Sequence, residues 1–152
     1  MMKSIQLPGG VSRALAMLED AGYEAFIVGG CVRDALMGIP PKDYDITTSA
    51  FPEETKAVFR AYHVIETGIQ HGTVTVMMDG MPLEITTYRT EGTYSDNRHP
   101  DSVSFTTSLR EDVARRDFTM NAIAYSPARG LIDHFGGEAD IRAGIIRCVG
   151  DP

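Results

Sequence analysis

Residues Ile27–Thr48, IVGGCVRDALMGIPPKDYDITT, decide how this chain reads. The stretch is entered through a short apolar run, Ala25-Phe26-Ile27-Val28, which predicts a strand. Gly29 and Gly30 follow, then a short helical piece carrying Arg33 and Asp34. Asp43-Tyr44-Asp45 opens a second strand-like run that closes on Ile46-Thr47-Thr48. Residues two apart on a strand share a face, so Asp43 and Asp45 are expected side by side with Tyr44 behind them. Paired carboxylates raise each other's pKa, a cost that a divalent cation removes. Oxygen-only ligands suit Mg²⁺.

The glycines supply the other half of the pattern. A strand-Gly-Gly-helix turn lets backbone approach a ligand closely and aims N–H groups from the helix start. Arg33 adds a fixed cation, so the turn predicts a place for phosphates beside the metal-binding acids. Neither a dinucleotide fingerprint nor a P-loop is present. Taken alone, a Gly-Gly turn reads as a plain turn and a D-x-D as surface charge. Their combination, with Asp43 nine residues after Asp34, is what carries information.

Gly29-Gly30-Cys31-Val32-Arg33-Asp34 followed by Asp43-Tyr44-Asp45 resembles the signature of bacterial-type (class II) tRNA CCA-adding nucleotidyltransferases and their relatives, the bacterial poly(A) polymerases. Arg115-Arg116-Asp117-Phe118-Thr119-Met120-Asn121-Ala122 is similar to the same family's RRDFTxNA block. Leu131–Gly137 and Ile145–Pro152 resemble its DPFGG…IRxVGDP stretch, with His134 where proline is usual. The likeness runs from about Ser12 to the end of the chain.

Composition is compatible with this. At 152 residues and 43% hydrophobic the chain suits one domain with a sizeable core. A net charge of −7 makes the domain as a whole a poor electrostatic match for nucleic acid, so any RNA contact is local or comes from elsewhere. Cys31 and Cys148 lack metal-ligand spacing and read as reduced thiols. The polar start MMKSIQLPGG is no signal peptide, and no run reaches transmembrane length, which predicts a soluble cytoplasmic protein. The four histidines form no ligand pattern and read as structural or surface residues.

Along the chain, Val11, Ala14, Leu15 and Leu18 predict a packing helix ending near Gly22, followed by a strand over Tyr23–Val28. Pro52, Glu53 and Glu54 open a helix within Ser49–Arg60. His63–Glu66 reads as a short strand. Gly72–Met78, the Asp79-Gly80 turn and Leu83–Tyr88 read as a hairpin. Thr90–Ser102 predicts a mobile loop, Val103–Thr106 a short strand, and Leu109–Ala124 one helix bearing Arg115 and Arg116 on different faces. Met residues read as core filler.

The resemblance implies an α/β (α+β) fold, the polymerase beta-like nucleotidyltransferase head: a small mixed β-sheet flanked by helices. It implies nucleotidyl transfer from CTP and ATP to the 3′ end of tRNA with Mg²⁺. Asp43 and Asp45 would bind metal, with Glu84 of the LEITTYR segment as a third active-site acid. Glu84 also reads as an exposed strand residue or a partner of Arg89. Gly29, Gly30, Arg33 and Arg116 would hold the triphosphate, and Asp117 and Asn121 would contact the sugar or orient Arg116. Asp34 is expected to fix Arg33 or the turn. The family's loop at 90–102 would take part in switching between nucleotides. The family's neck, body and tail domains, with the neck's base-reading EDxxR-like motif, are expected beyond residue 152, so 1–152 reads as a truncated catalytic head. No membrane and no protein partner are expected. The competing readings are a poly(A) polymerase, an enzyme adding only CC or only A, a non-catalytic NTP-binding fragment, and a small-molecule nucleotidyltransferase.

Overall fold

A computed structural model describes residues 5–68, 72–91 and 103–149. Helix α1 (Gly9–Asp20) buries Val11, Ala14, Leu15 and Leu18, the stripe its spacing predicts. It stops at Gly22, whose φ of +98° a side chain would resist. Strand β1 (Ala25–Val28) follows, buried along its whole length. Helix α2 (Gly30–Leu36) leads to β2 (Asp45–Thr48) and then α3 (Pro52–Val58). Glu54 closes the start of α3, its Oε1 accepting the Phe51 N–H at 2.9 Å while Oε2 accepts the Tyr23 hydroxyl.

Next come β3 (Val64–Gly68), β4 (Thr73–Met78) and β5 (Met81–Thr87). Asp79 and Gly80, at φ +52° and +78°, turn the β4–β5 hairpin in the primed geometry that suits strand twist. The short strands β6 (Arg89–Glu91) and β7 (Val103–Phe105) pair separately. Helix α4 (Leu109–Ala114), a 3₁₀ turn (Thr119–Asn121), β8 (Ala124–Ser126), β9 (Gly130–Ile132) and α5 (Gly137–Ala143) complete the order.

The main sheet runs β3-β4-β5-β2-β1-β8-β9. Among the described residues its one parallel pair is β2–β5, and the other neighbours are antiparallel. The mixed sheet and flanking helices are those the family resemblance implies. One face carries Ile27, Ile46, Leu83, Ile85, Val74 and Val76 against Val11, Leu15 and Leu18 of α1 and Val32 of α2. The opposite face carries Phe26, Val28 and Ala124 against Leu109 and Val113 of α4.

Several boundaries differ from the sequence reading. Asp43 and Tyr44 precede β2 instead of lying within it, although the alternation holds: Asp43 and Asp45 are exposed and Tyr44 is buried. The expected helix over 109–124 ends at Ala114, because Phe118 turns extended (φ −122°, ψ 146°) and its chain bridges to Cys148. Ala124 therefore lies in a strand. Thr90 and Glu91 belong to β6, so the segment is not a loop from its first residue. The rest of that loop, His71, His99 and the Gly150-Asp151-Pro152 end lie outside the described residues. Cys31 is buried, Cys148 is exposed, and both are free. Among the described residues no helix is long and apolar enough to cross a membrane.

Candidate active site

The cross-strand register builds the site. Asp45 on β2 stands abreast of Glu84 on β5, and Glu84 abreast of Thr75 on β4. Their side chains share one sheet face. Asp45, Val28 and Ala124 continue the row across β1 and β8. The next row holds Thr73, Thr86 and Thr47. Two acids far apart in sequence thus sit on neighbouring strands, with Asp43 two residues ahead.

This crowding shows in the acid chemistry. The Asp45 carboxyl is pushed up, first by desolvation, then by the negative charge of Glu84, with Asp43 adding and Arg116 opposing. Asp45 nonetheless keeps an exposed side. It is crowded rather than sealed, and a cation can reach it. Among the described residues, no three His, Cys, Asp or Glu residues gather into a group that could hold an ion.

Two guanidinium groups converge on the glycine turn. A Cβ on Gly29 would lie 3.5 Å from Arg116 Nη1, and one on Gly30 would lie 3.3 Å from Arg33 Nη2. Gly29 also has φ +83° and ψ −139°, a conformation open essentially to glycine. The two glycines therefore clear the space that the arginine heads border. Arg33 donates to Asp34 Oδ1 and, through Nη1, to Asn121 Oδ1 at 3.0 Å. Asp34 thus fixes Arg33, as expected. Asn121 orients Arg33 and not Arg116. Asp117 is exposed, and its carbonyl accepts the Val149 N–H at 3.0 Å.

Arg116 is organised by a residue that sequence reasoning missed. Asp112, 0% exposed, sits on α4. Its Oδ1 accepts the Arg89 backbone N–H at 3.0 Å and faces Arg115 Nε at 3.5 Å. Its Oδ2 accepts the Thr47 hydroxyl at 3.0 Å and faces Arg116 Nη2 at 3.6 Å. A single acid three residues before one arginine and four before the next, at helical spacing, is the signal that could have exposed it. Arg115, expected on a different face, lines the same cavity as Arg116. That cavity, of about 220 Å³, is also lined by Asp45, Thr47, Glu84 and Arg89. A second, of about 380 Å³, opens beside Asp43, Asp45, Glu84, Thr75 and Pro82. Asp45 and Glu84 line both.

The segment after β9 braces this assembly. Asp133 accepts the Gly137 and Glu138 N–H groups at 2.7 and 2.9 Å, capping α5. Asp140 accepts the Thr119 hydroxyl at 2.6 Å and the Arg147 guanidinium at 3.2 Å. Those contacts, the Thr119 hydroxyl first, hold the Asp140 carboxyl below its usual range. Gly137 lies directly beneath the Thr119 carbonyl. The 3₁₀ turn carrying Asn121 is thereby fixed from below.

Residues 25–147 match the family described as the Poly A polymerase head domain. The chain belongs to that family. The chain is 51% identical over 153 residues to a CCA-adding enzyme of Leuconostoc mesenteroides, an alignment spanning 99% of this chain and 38% of the relative. It is 55% identical to a CCA-adding enzyme of Leuconostoc citreum over 90% of this chain and 34% of the relative. In structure it is similar to the CCA-adding enzyme of Bacillus stearothermophilus solved with CTP, at a TM-score of 0.82 and 45% identity, over 93% of this chain and 33% of that one. The chain thus spans about a third of the length of the relatives it matches.

Proposed function

We propose that residues 1–152 form the catalytic head of a CCA-adding tRNA nucleotidyltransferase, with neck, body and tail supplied by further sequence. The observation that carries this reading is the pairing of Asp45 with Glu84 on adjacent parallel strands, beside a glycine turn bordered by Arg33 and Arg116. In this reading CTP and ATP are the donors and the tRNA 3′ end is the acceptor.

The acceptor 3′-oxygen forms a bond to the α-phosphorus of the nucleotide. The bond from that phosphorus to the bridging oxygen breaks, and pyrophosphate leaves. The proton of the attacking hydroxyl passes to the carboxylate pair. Gly29 and Gly30 leave room for the phosphates, and Arg33 and Arg116 neutralise charge gathering on the leaving group. Asn121 keeps Arg33 aimed, and Asp117, exposed next to Arg116, faces the sugar. Asp45 and Glu84, with Asp43 two residues ahead of Asp45, are oxygen-only donors; burial first, and then the charges of Glu84 and Asp43, raises Asp45, which fits a divalent cation, Mg²⁺. When bound, such ions lower the pKa of the hydroxyl and stabilise the leaving oxygen. One or two protein carboxylates suffice for Mg²⁺ when substrate phosphates and water fill its other positions.

Calorimetry with CTP, ATP, GTP and UTP in Mg²⁺ tests this. Metal-dependent binding that disappears in the Asp43→Ala/Asp45→Ala variant is expected. A wild-type chain that binds no triphosphate under these conditions would overturn the reading. The family description also covers poly(A) polymerases. Extension of a tRNA transcript lacking its CCA end separates the two, giving three added residues in one case and an adenylate tract in the other.

A further inference from the structure

We infer that Thr47 is a positioning residue that keeps Arg116 available to the triphosphate, an inference that rests on the function proposed above. Thr47 is 1% exposed and stands one row below Asp45 on the same face of β2. Its hydroxyl donates to Asp112 Oδ2 at 3.0 Å, and that same oxygen faces Arg116 Nη2. The ion pair is 3.6 Å long. A relaxed guanidinium–carboxylate contact closes to about 2.7–2.9 Å.

The length has a local cause. Oδ1 of Asp112 is tied to the Arg89 N–H, which fixes the carboxylate plane. The Thr47 hydroxyl takes one of the two lone-pair positions of the other oxygen, the oxygen that Arg116 faces. Arg116 is left incompletely satisfied, and its buried Nε has no hydrogen-bond partner among the described residues. Its Nη1 extends toward Gly29. A guanidinium held in this state, short of one acceptor and beside an open cleft, has donors to spare for an incoming anion. Without the hydroxyl, Asp112 would draw Arg116 in and away from the glycine turn. Thr47 therefore acts on the ligand through Asp112 and Arg116, and it sits on the strand that presents Asp45.

Thr47→Val preserves shape and removes the hydroxyl. The test is calorimetry with inorganic tripolyphosphate and Mg²⁺ on wild type, Thr47→Val, Thr47→Ser, Arg116→Gln and Thr47→Val/Arg116→Gln. Thr47→Val is expected to bind about tenfold more weakly, the scale of one charge-assisted hydrogen bond. Thr47→Ser should restore binding. In the Arg116→Gln background Thr47→Val should cost nothing further, since the route through Arg116 is already cut. Equal binding by Thr47→Val and wild type overturns the inference, as does an equal loss in both backgrounds or a failure of serine to rescue. A wild-type chain that ignores tripolyphosphate overturns the triphosphate site itself, and this inference with it.

Discussion

Gly137→Ala reaches the candidate site from the far end of the chain. A Cβ built on Gly137 lies 2.0 Å from the Thr119 carbonyl oxygen, 2.7 Å from its carbon and 3.0 Å from Ile123 Cδ1. Even a close carbon–oxygen contact settles near 3.3 Å, so the methyl group falls roughly 1.3 Å short of room. The atom in the way is backbone and cannot swing aside. Either α5 lifts or the 3₁₀ turn sinks. Overpacking of this kind costs about 1–3 kcal/mol, and a backbone clash belongs at the upper end, near 3 kcal/mol. For a domain of this size that lowers the melting temperature by roughly 6–12 °C. Displacing the turn also moves Asn121, whose Oδ1 holds Arg33 at 3.0 Å. Misplacement by about 1 Å can cost on the order of a hundredfold in a positioned site. Thermal melting and tripolyphosphate calorimetry read the two effects. Gly136→Ala is the control: Gly136 is left-handed at φ +75° with no atom within 4 Å of its added Cβ. It pays only the conformational penalty of about 1–2 kcal/mol and should bind normally. If Gly137→Ala melts no lower than Gly136→Ala and binds tripolyphosphate as well, the bracing argument is wrong.

Three further outcomes are expected. Asp112→Asn can keep its oxygen on the Arg89 N–H and turn its amide to Thr47, but it loses the charge facing two arginines. Breaking buried pairs costs about 3–5 kcal/mol, and the long separations here favour about 3, read as a shift in denaturant midpoint. A shift below about 0.5 kcal/mol, typical of surface sites, would contradict the network. Asp45→Asn should abolish turnover yet raise the melting temperature of the metal-free chain at pH 7. An acid whose folded pKa is raised costs stability above that pKa and recovers it on acidification, so the gain should shrink toward pH 4; a lower melting temperature at pH 7 would refute it. Asp140 has a depressed folded pKa, so its contribution is present above the unfolded value of about 3.9 and lost as pH falls through the folded one. Acid titration of stability should therefore be shallower in Asp140→Asn than in wild type.

The glycine turn, the D-x-D pair and the β4–β5 hairpin were legible because each is a local pattern with a local cause. Gly29 needs its φ of +83°, and Asp79-Gly80 needs two positive φ values. Glu84 was singled out as an acid through family likeness, and the strand register sets it abreast of Asp45. What escaped was set by contacts between distant segments. The helix expected over 109–124 breaks after Ala114 without a glycine or proline to mark it. The extended stretch at Phe118 is held by the Cys148 bridge and by the bond from Thr119 N–H to the Arg147 carbonyl. Asp112 is one more acid in a run that alternates acids and bases. Its partners come from β2 and the start of β6, which the run itself does not reveal.

The parallel pairing of β2 with β5 carries a consequence for fidelity of assembly. Along β5, Glu84 lies between Leu83 and Ile85, which are 0% and 1% exposed on the opposite face. A one-residue slip of β5 would bring Leu83 or Ile85 into the cleft and drive the glutamate into the packed core beneath α1. Burying an unpaired carboxylate there is prohibitive, so misregistered chains are rejected by the core before any ligand is met. The greasy face of the sheet thus proofreads the spacing of the acids on the other.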